Sequence, residues 1–228
     1  MTVAAVVVAG GRGERLGAPK QFLPLGGVPL VMWSVRAFAE HPRVKEVIVV
    51  LPEGTEEAPE WLTGRNASWC AGGATRRESA GAGVGSVFSD ASIILIHDAA
   101  RPFVSAALID RVIGAAERSH AALPVLPVVD TIKRTGGGRV LETLDREPLG
   151  RAQTPQGFEA GLIRRLHADA ERGGWNASDD SALAERAGID VVPVSGEPGN
   201  LKITTAADMA FADWLVDSGR VSAAGSLR

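Results

Sequence analysis

Residues 3–27 read VAAVVVAGGRGERLGAPKQFLPLGG, and the loop after the apolar run decides how the chain folds. Val3 to Val8 is continuous and rich in β-branched residues, the pattern of a strand buried on both faces of a parallel sheet. The chain then enters a glycine-rich loop carrying Arg12, Arg15 and Lys20. Several unrelated folds place a phosphate site there, so the flanking residues must discriminate between them. Gly11, Gly13 and Gly17 fit G-x-G-x-x-x-G, but a dinucleotide fingerprint needs a helix to begin inside the motif. Gly17, Pro19, Pro24, Gly26, Gly27 and Pro29 keep this stretch irregular, and no Gly-Lys-Ser/Thr of a P-loop is present. What remains is a loop offering backbone N–H groups and three bases, a cradle suited to a triphosphate. Cations around that anion would also neutralise charge developing during phosphoryl or nucleotidyl transfer.

Outward from this loop the chain alternates short apolar runs with helical periodicity. A helix is expected over 29–40, with Val31, Val35 and Phe38 on one face, then a strand over 46–51 and a short strand around Trp69. Thr75 with Glu78 three residues later forms a capping-box pattern opening a helix to about 85. A buried strand over 92–96, a helix capped by Ser105 and a strand over 121–129 come next. Near 130–148 the alternation breaks. TIKR and RVLET flank Thr135-Gly136-Gly137-Gly138, the signature of a β-hairpin inserted into the α/β pattern. A lone two-stranded arm is marginal in water, so it needs a surface to lie on, in its own body or in a second subunit. Helices are expected near 159–172, 179–187 and 205–217, a strand over 189–194, and a frayed tail over about 218–228. The expectation is one α/β domain over 1–228, Rossmann-like, with a mostly parallel twisted sheet that collects ligands at the carboxyl ends of its strands.

The 228 residues, 45% of them apolar, are enough for a proper core, and the net charge of −3 argues against a nucleic-acid or membrane-coating role. The single cysteine, Cys70, permits no intrachain disulfide and reads as an apolar filler. No apolar stretch reaches membrane-spanning length, and a soluble, cytoplasmic protein is expected.

A second constellation is ILIHDAARPFV, residues 94–104. Asp98 at the end of a strand is well placed to hold Mg²⁺, which takes one or two protein carboxylates and completes its shell with phosphate oxygens and water. Arg101 offers a fork to a phosphate or orients the carboxylate. His97 reads as a hydrogen-bonded core histidine, and Asp179-Asp180 as a helix cap.

AGGRGERLGAPKQF, HDAARP, DTIKR, DREPLGRAQTPQGF and NLKITT, in that order, resemble the 2-C-methyl-D-erythritol 4-phosphate cytidylyltransferase family from about residue 3 to 217. The resemblance implies a fold of the nucleotide-diphospho-sugar transferase type, with Mg²⁺ as cofactor and a homodimer whose active site is shared through the hairpin arm. It also implies transfer of CMP from CTP to a polyol phosphate. Arg15 and Lys20 would stabilise the transition state, while Arg146, from the neighbouring subunit, and Lys202 would position the acceptor phosphate. CTP would be held by Ala9, Gly10, Gly11, Gly13, Gly73, Ala74 and Ser79, and the acceptor by Asp98, Arg101, Thr131 and Thr154, with Asp98 also the metal ligand. Gly10 stands where relatives carry alanine, an exchange that packing is expected to accept, and Ala74 stands where many carry an acidic residue. A related ribitol 5-phosphate cytidylyltransferase, a nucleotidyltransferase using another NTP, and a CTP-binding regulator without turnover stay open as alternatives.

Overall fold

The computed structural model describes residues 1–11, 20–62, 67–88 and 90–221. Strand β1 (Val3–Val8) opens the sheet. Beyond the glycine loop a 3-10 turn at Lys20–Phe22 leads into a small antiparallel hairpin, β2 (Pro24–Leu25) and β3 (Val28–Pro29). Its two-residue turn, Gly26-Gly27, has φ of +56° and +79°, a conformation that side-chain-bearing residues rarely adopt. Then come α1 (Leu30–Ala39), β4 (Val44–Leu51) and β5 (Ser68–Ala71). Helix α2 (Arg76–Gly85) starts at the expected capping box: Thr75 Oγ1 accepts from Glu78 N, and the Glu78 carboxylate accepts from Thr75 N. Next are β6 (Ile93–Asp98), α3 (Ala106–Ser119), capped by Ser105, and β7 (Ala121–Pro127). The arm is β8 (Lys133–Gly136) and β9 (Arg139–Thr143), and after it lie β10 (Gly150–Ala152) and β11 (Gln156–Glu159). The chain continues with α4 (Ala160–Arg172), α5 (Ser181–Arg186), β12 (Val192–Ser195) and α6 (Ala206–Asp217).

β1 runs parallel to β4 on one side and β6 on the other, and β5 extends the sheet parallel to β4. Because side chains alternate along a strand, Val3, Ala5 and Val7 pack with α1 and α3 through Phe38, Leu108 and Val112, while Ala4 and Val6 pack with α2 and α4 through Ala80, Val84 and Leu166. A third cluster of Leu25, Leu30, Phe103, Ile203, Ala212 and Leu215 seats α6 against the β2–β3 hairpin. Ile203 N donates to Ala100 O at 2.8 Å, which brings the 200–204 segment to the end of β6.

Three features depart from the expected pattern. β11 inserts antiparallel between β6 and β7, and β10 also pairs antiparallel with β7. The late strand is Val192–Ser195, parallel to β7, displaced toward the C-terminus from the expected 189–194. α5 begins at Ser181, after the expected 179. Of the tail expected to fray, residues 218–221 stay attached, with Arg220 N donating to Leu215 O at 3.1 Å and the Arg220 guanidinium over the Trp214 ring, and 222–228 lie outside the described residues. Cys70 is half-buried against the α2–α4 face, and burial raises its thiol pKa.

Candidate active site

Both glycine segments end at the carboxyl edge of the parallel strands and meet at Ser79. An added Cβ at Gly10 would lie 2.8 Å from Ser79 Oγ, and one at Gly72 would lie 2.7 Å from the same atom and 2.9 Å from Leu51 O. At Gly73 a Cβ would come within 2.6 Å of Glu78 Cβ. Missing side chains therefore let two backbone loops close on one buried hydroxyl. Ser79 Oγ donates to Thr75 O at 2.9 Å and accepts from Gly73 N at 3.3 Å, so it holds the second loop to the start of α2. Glycine at position 10, where relatives carry alanine, sits without strain, whereas an alanine here would require the Ser79 side chain to rotate. Ala9 is buried, its N–H on Val50 O at 2.8 Å, while Gly11 and Ala74 are exposed.

Gln21, absent from the expected site residues, is buried and donates from Nε2 to Ala9 O and to Gly11 O, each at 2.7 Å. One amide thus ties the return of the chain to its departure from β1. Lys20 is the first residue of the 3-10 turn that carries Gln21. Arg15, expected to stabilise the transition state, and Gly13, expected to bind CTP, lie outside the described residues.

The second half of the site is built on Asp98. Its Oδ1 accepts from Arg76 Nε at 3.0 Å and its Oδ2 from Lys202 Nζ at 2.7 Å. Burial alone would raise the carboxyl pKa, but Arg76, then Lys202 and Arg101, outweigh it and hold Asp98 far below the usual carboxylate range. Asp98 is therefore ionised at neutral pH. Its N–H donates to Thr154 Oγ1 at 3.0 Å, Thr154 Oγ1 lies 3.1 Å from His97 Nδ1, and His97 Nε2 lies 3.0 Å from Arg101 O. The carbonyl can only accept, so Nε2 carries the proton and the Thr154 hydroxyl donates to Nδ1. Burial pulls the His97 pKa down to about 4, which keeps the ring neutral. His97 is a core residue, packed edge-on against Phe38 with ring centroids 5.0 Å apart.

Arg101 Nη1 donates to Asn200 O at 2.8 Å and Nη2 to Ala152 O at 3.2 Å. Its fork thus pins the 200–204 segment and β10, and reaches Asp98 only through its field, a different use from the phosphate contact that its sequence suggests. Asn200, fully buried, adds a bond from Nδ2 to Thr154 O at 2.7 Å. Thr154 likewise spends its hydroxyl on Asp98 and His97.

Arg76, absent from the sequence-derived set, joins Asp98 to Asp180, its Nη1 donating to Asp180 Oδ2 at 2.9 Å. The cap expected of Asp179-Asp180 divides unequally: the Asp180 side chain makes no capping bond, and Asp179 Oδ1 accepts from Ser181 Oγ and Ala182 N instead. Thr131 and Arg146 sit on the exposed arm segment, where Arg146 Nη1 donates to Val129 O at the base of the arm. Lys202 and Thr154 belong to the Asp98 cluster, and within one chain the structure does not bring Thr131 and Arg146 into it.

Among the described residues no group of three or more His, Cys, Asp or Glu side chains converges in the manner of an all-protein metal cage. One ionised carboxylate at a strand end, with a half-exposed lysine on its outer oxygen, suits a cation that draws its other ligands from phosphate and water. A mostly parallel sheet with two glycine loops and a paired carboxylate at its carboxyl edge has the architecture of a Rossmann-like nucleotidyltransferase. The family described as IspD, 2-C-methyl-D-erythritol 4-phosphate cytidylyltransferase, matches residues 3–218, and the chain belongs to it. The enzyme of that name from Acidobacterium capsulatum is 42% identical over 229 residues, covering 93% of this chain and 96% of the relative. The crystal structure of the Thermus thermophilus enzyme superposes with a TM-score of 0.83 at 40% identity, covering 95% of this chain and 100% of that one. A bifunctional enzyme IspD/IspF from Anaeromyxobacter dehalogenans is 43% identical over 223 residues, and this chain spans 57% of its length.

Proposed function

We propose that the chain transfers CMP from CTP to 2-C-methyl-D-erythritol 4-phosphate, giving 4-diphosphocytidyl-2-C-methyl-D-erythritol and pyrophosphate, as a cytoplasmic, Mg²⁺-dependent homodimer. The observation that carries the reading is the Asp98–Lys202 pair at the carboxyl edge of the sheet, in a chain of this family. A phosphate oxygen of the acceptor attacks the α-phosphorus of CTP, a new P–O bond forms, and the bond to the bridging oxygen breaks with its electron pair leaving on pyrophosphate. The nucleophile is already anionic, so alignment and charge neutralisation supply most of the catalysis.

Backbone groups of Ala9, Gly10, Gly11, Gly13, Gly73 and Ala74, with Ser79, receive the nucleotide, the close loop approach at Ser79 supporting the base site. Arg15 and Lys20 neutralise the charge on the transferring phosphoryl group. Mg²⁺, held by Asp98 and phosphate oxygens, supplies further charge neutralisation when bound. The Lys202 side chain is 41% exposed, and its ammonium can exchange Asp98 for the acceptor phosphate. Asp98 and Thr131 complete the acceptor pocket, whose wall Arg101 and Thr154 hold through the backbone around Asp98, and Arg146 enters it from the partner on the arm. Among the described residues no helix is long and apolar enough to cross a membrane, in keeping with soluble small-molecule substrates.

The test is pyrophosphate release from CTP, UTP, GTP and dTTP against methylerythritol phosphate and ribitol 5-phosphate. Release confined to CTP with methylerythritol phosphate is the expected result. Release only with another NTP, preference for ribitol 5-phosphate, or CTP binding without turnover would each replace this reading.

A further inference from the structure

Two cations hold the Asp98 carboxylate, and they are built differently. Lys202 reaches Oδ2 from a half-exposed, flexible stem. Arg76 is the first residue of α2, whose N-terminus is locked by the Thr75–Glu78 capping box, and its rigid planar fork spans Asp98 and Asp180 at 3.0 and 2.9 Å. Asp180 is in turn fixed from two further elements. Its N–H donates to Gln156 Oε1 on β11 at 3.0 Å, and its Oδ1 lies 3.2 Å from His167 Nε2 on α4.

Asp180 has a side chain only 1% exposed and lies far from bulk water. A buried ion pair is a weak source of stability, because desolvation consumes much of the Coulomb attraction and apolar packing does as well. Arg76 Nη2 is also buried without a hydrogen-bond partner, a cost that an arrangement selected for local satisfaction would avoid. The guanidinium is located by its two carboxylates rather than by its own hydrogen-bonding needs.

We infer that Arg76, braced by Asp180, is a positioning residue of the transfer site, fixing the Asp98 carboxylate so that Oδ1 stays inside and Oδ2 faces the exchangeable partner. Lys202 can leave Oδ2 for another anion, while Oδ1 stays anchored through Arg76 to the buried side of the sheet. The inference rests on the proposed function only in taking Asp98 as the site carboxylate.

The experiment uses the full chain and the variants Arg76→Gln, Arg76→Lys, Asp180→Asn, Asp98→Asn, Arg76→Gln/Asp180→Asn and Arg76→Gln/Asp98→Asn. Thermal melts report folding, steady-state kinetics give kcat and KM for each substrate, and electron paramagnetic resonance measures Mn²⁺ affinity in the CTP complex. Arg76→Gln is expected to lower kcat/KM for the polyol phosphate and Mn²⁺ affinity by about 10–100-fold, as loss of a partner supporting a ligand typically does, with KM for CTP nearly unchanged. Arg76→Lys restores the charge but not the fork and recovers part of the loss. Arg76→Gln/Asp180→Asn removes both buried charges, so it keeps the protein folded and still shows the Arg76→Gln defect. Adding Arg76→Gln to Asp98→Asn is expected to cost nothing more, because the two act as one unit.

Wild-type kinetics and Mn²⁺ affinity in the folded Arg76→Gln/Asp180→Asn variant would overturn the inference, as would full additivity of Arg76→Gln with Asp98→Asn. If the wild-type chain transfers no CMP, the proposed function fails while the Mn²⁺ measurement still decides the role of Arg76.

Discussion

The edge of the central sheet and the hairpin arm are opposite solutions to placing a charged side chain. Around Asp98 the side chains brace one another: one carboxylate is shared by Arg76 and Lys202, and the backbone behind it is held by Thr154, His97 and Arg101. On the arm β8 and β9 pair only with each other, all their residues are exposed, and Val140 and Leu141 show 63% and 58% of their surface to solvent. Such a ribbon is marginal alone, and its apolar exposure is what a partner surface would cover. The site on the body is thus preorganised by its own chain, while the contribution proposed for the arm would come from a second copy.

The largest effect is expected on the body. Asp98→Asn leaves the Arg76–Asp180 pair in place and should reduce kcat/KM by about 10³-fold with little change in the melting temperature. Unchanged turnover would remove Asp98 from the chemistry. Next, replacing residues 133–143 of the arm by a short Gly-Ser link should abolish dimerisation and transfer together while the body still melts cooperatively, as measured by light scattering and circular dichroism. A deletion variant that stays dimeric, or stays active as a monomer, breaks the contrast between body and arm. A smaller effect belongs to Gly73→Ala, whose Cβ would stand 2.6 Å from Glu78 Cβ. It should cost about 1–3 kcal/mol in stability and raise KM for CTP, measured by denaturant titration and initial rates.

The smallest effect concerns the N-terminus of α6, where Asp208 accepts from Thr204 N, Thr204 Oγ1 and Thr205 N at 2.8 Å each. The slight burial of Asp208 would raise its pKa, but these bonds outweigh that and hold it at about 2, below the ordinary 3.8. A depressed carboxyl pKa means that the unfolded chain binds the proton more readily, so this contribution is full above pH 4 and disappears as pH falls through 2. Asp208→Asn should therefore cost under about 1 kcal/mol at pH 7, given the solvent screening, and the two proteins should converge in stability toward pH 2. A constant gap across that range would assign the effect to packing.

What the sequence made legible was local. Thr75–Glu78, Ser105, the glycines of the arm hairpin and the β-branched run of Val3–Val8 carry their structure in residue type and spacing, and each forms as expected, whereas the stretch read as irregular around Gly26-Gly27 closes into the β2–β3 hairpin. β11 was not legible, because QGFE has no periodicity over its four residues and its antiparallel place between β6 and β7 is set by tertiary pairing. The same holds in the site. Asp98 announces itself at the end of an apolar strand, but its partner Arg76 lies 22 positions earlier and Asp180 lies 104 positions beyond Arg76, with no pattern to join them. Residue type and motif point Arg101 and Thr154 at substrate, yet both spend their polar atoms on holding the backbone around Asp98. Gln21 does have a sequence signal: a polar residue at the exit of a glycine loop, next to an aromatic that packs on the core, is a natural latch.

The claim that one transfer centre is assembled from the body of one chain and the arm of another is tested most directly by mixing two inactive variants. Lys20→Ala removes a group from the body, and Arg146→Ala removes one from the arm. Unfolded together in equal amounts and refolded, a two-fold symmetric dimer places both lesions in one site of each heterodimer and leaves the other site intact. A shared centre predicts recovery of about a quarter of wild-type activity, from half of the dimers carrying one good site each. A mixture no more active than its two components would contradict it and confine each site to a single chain.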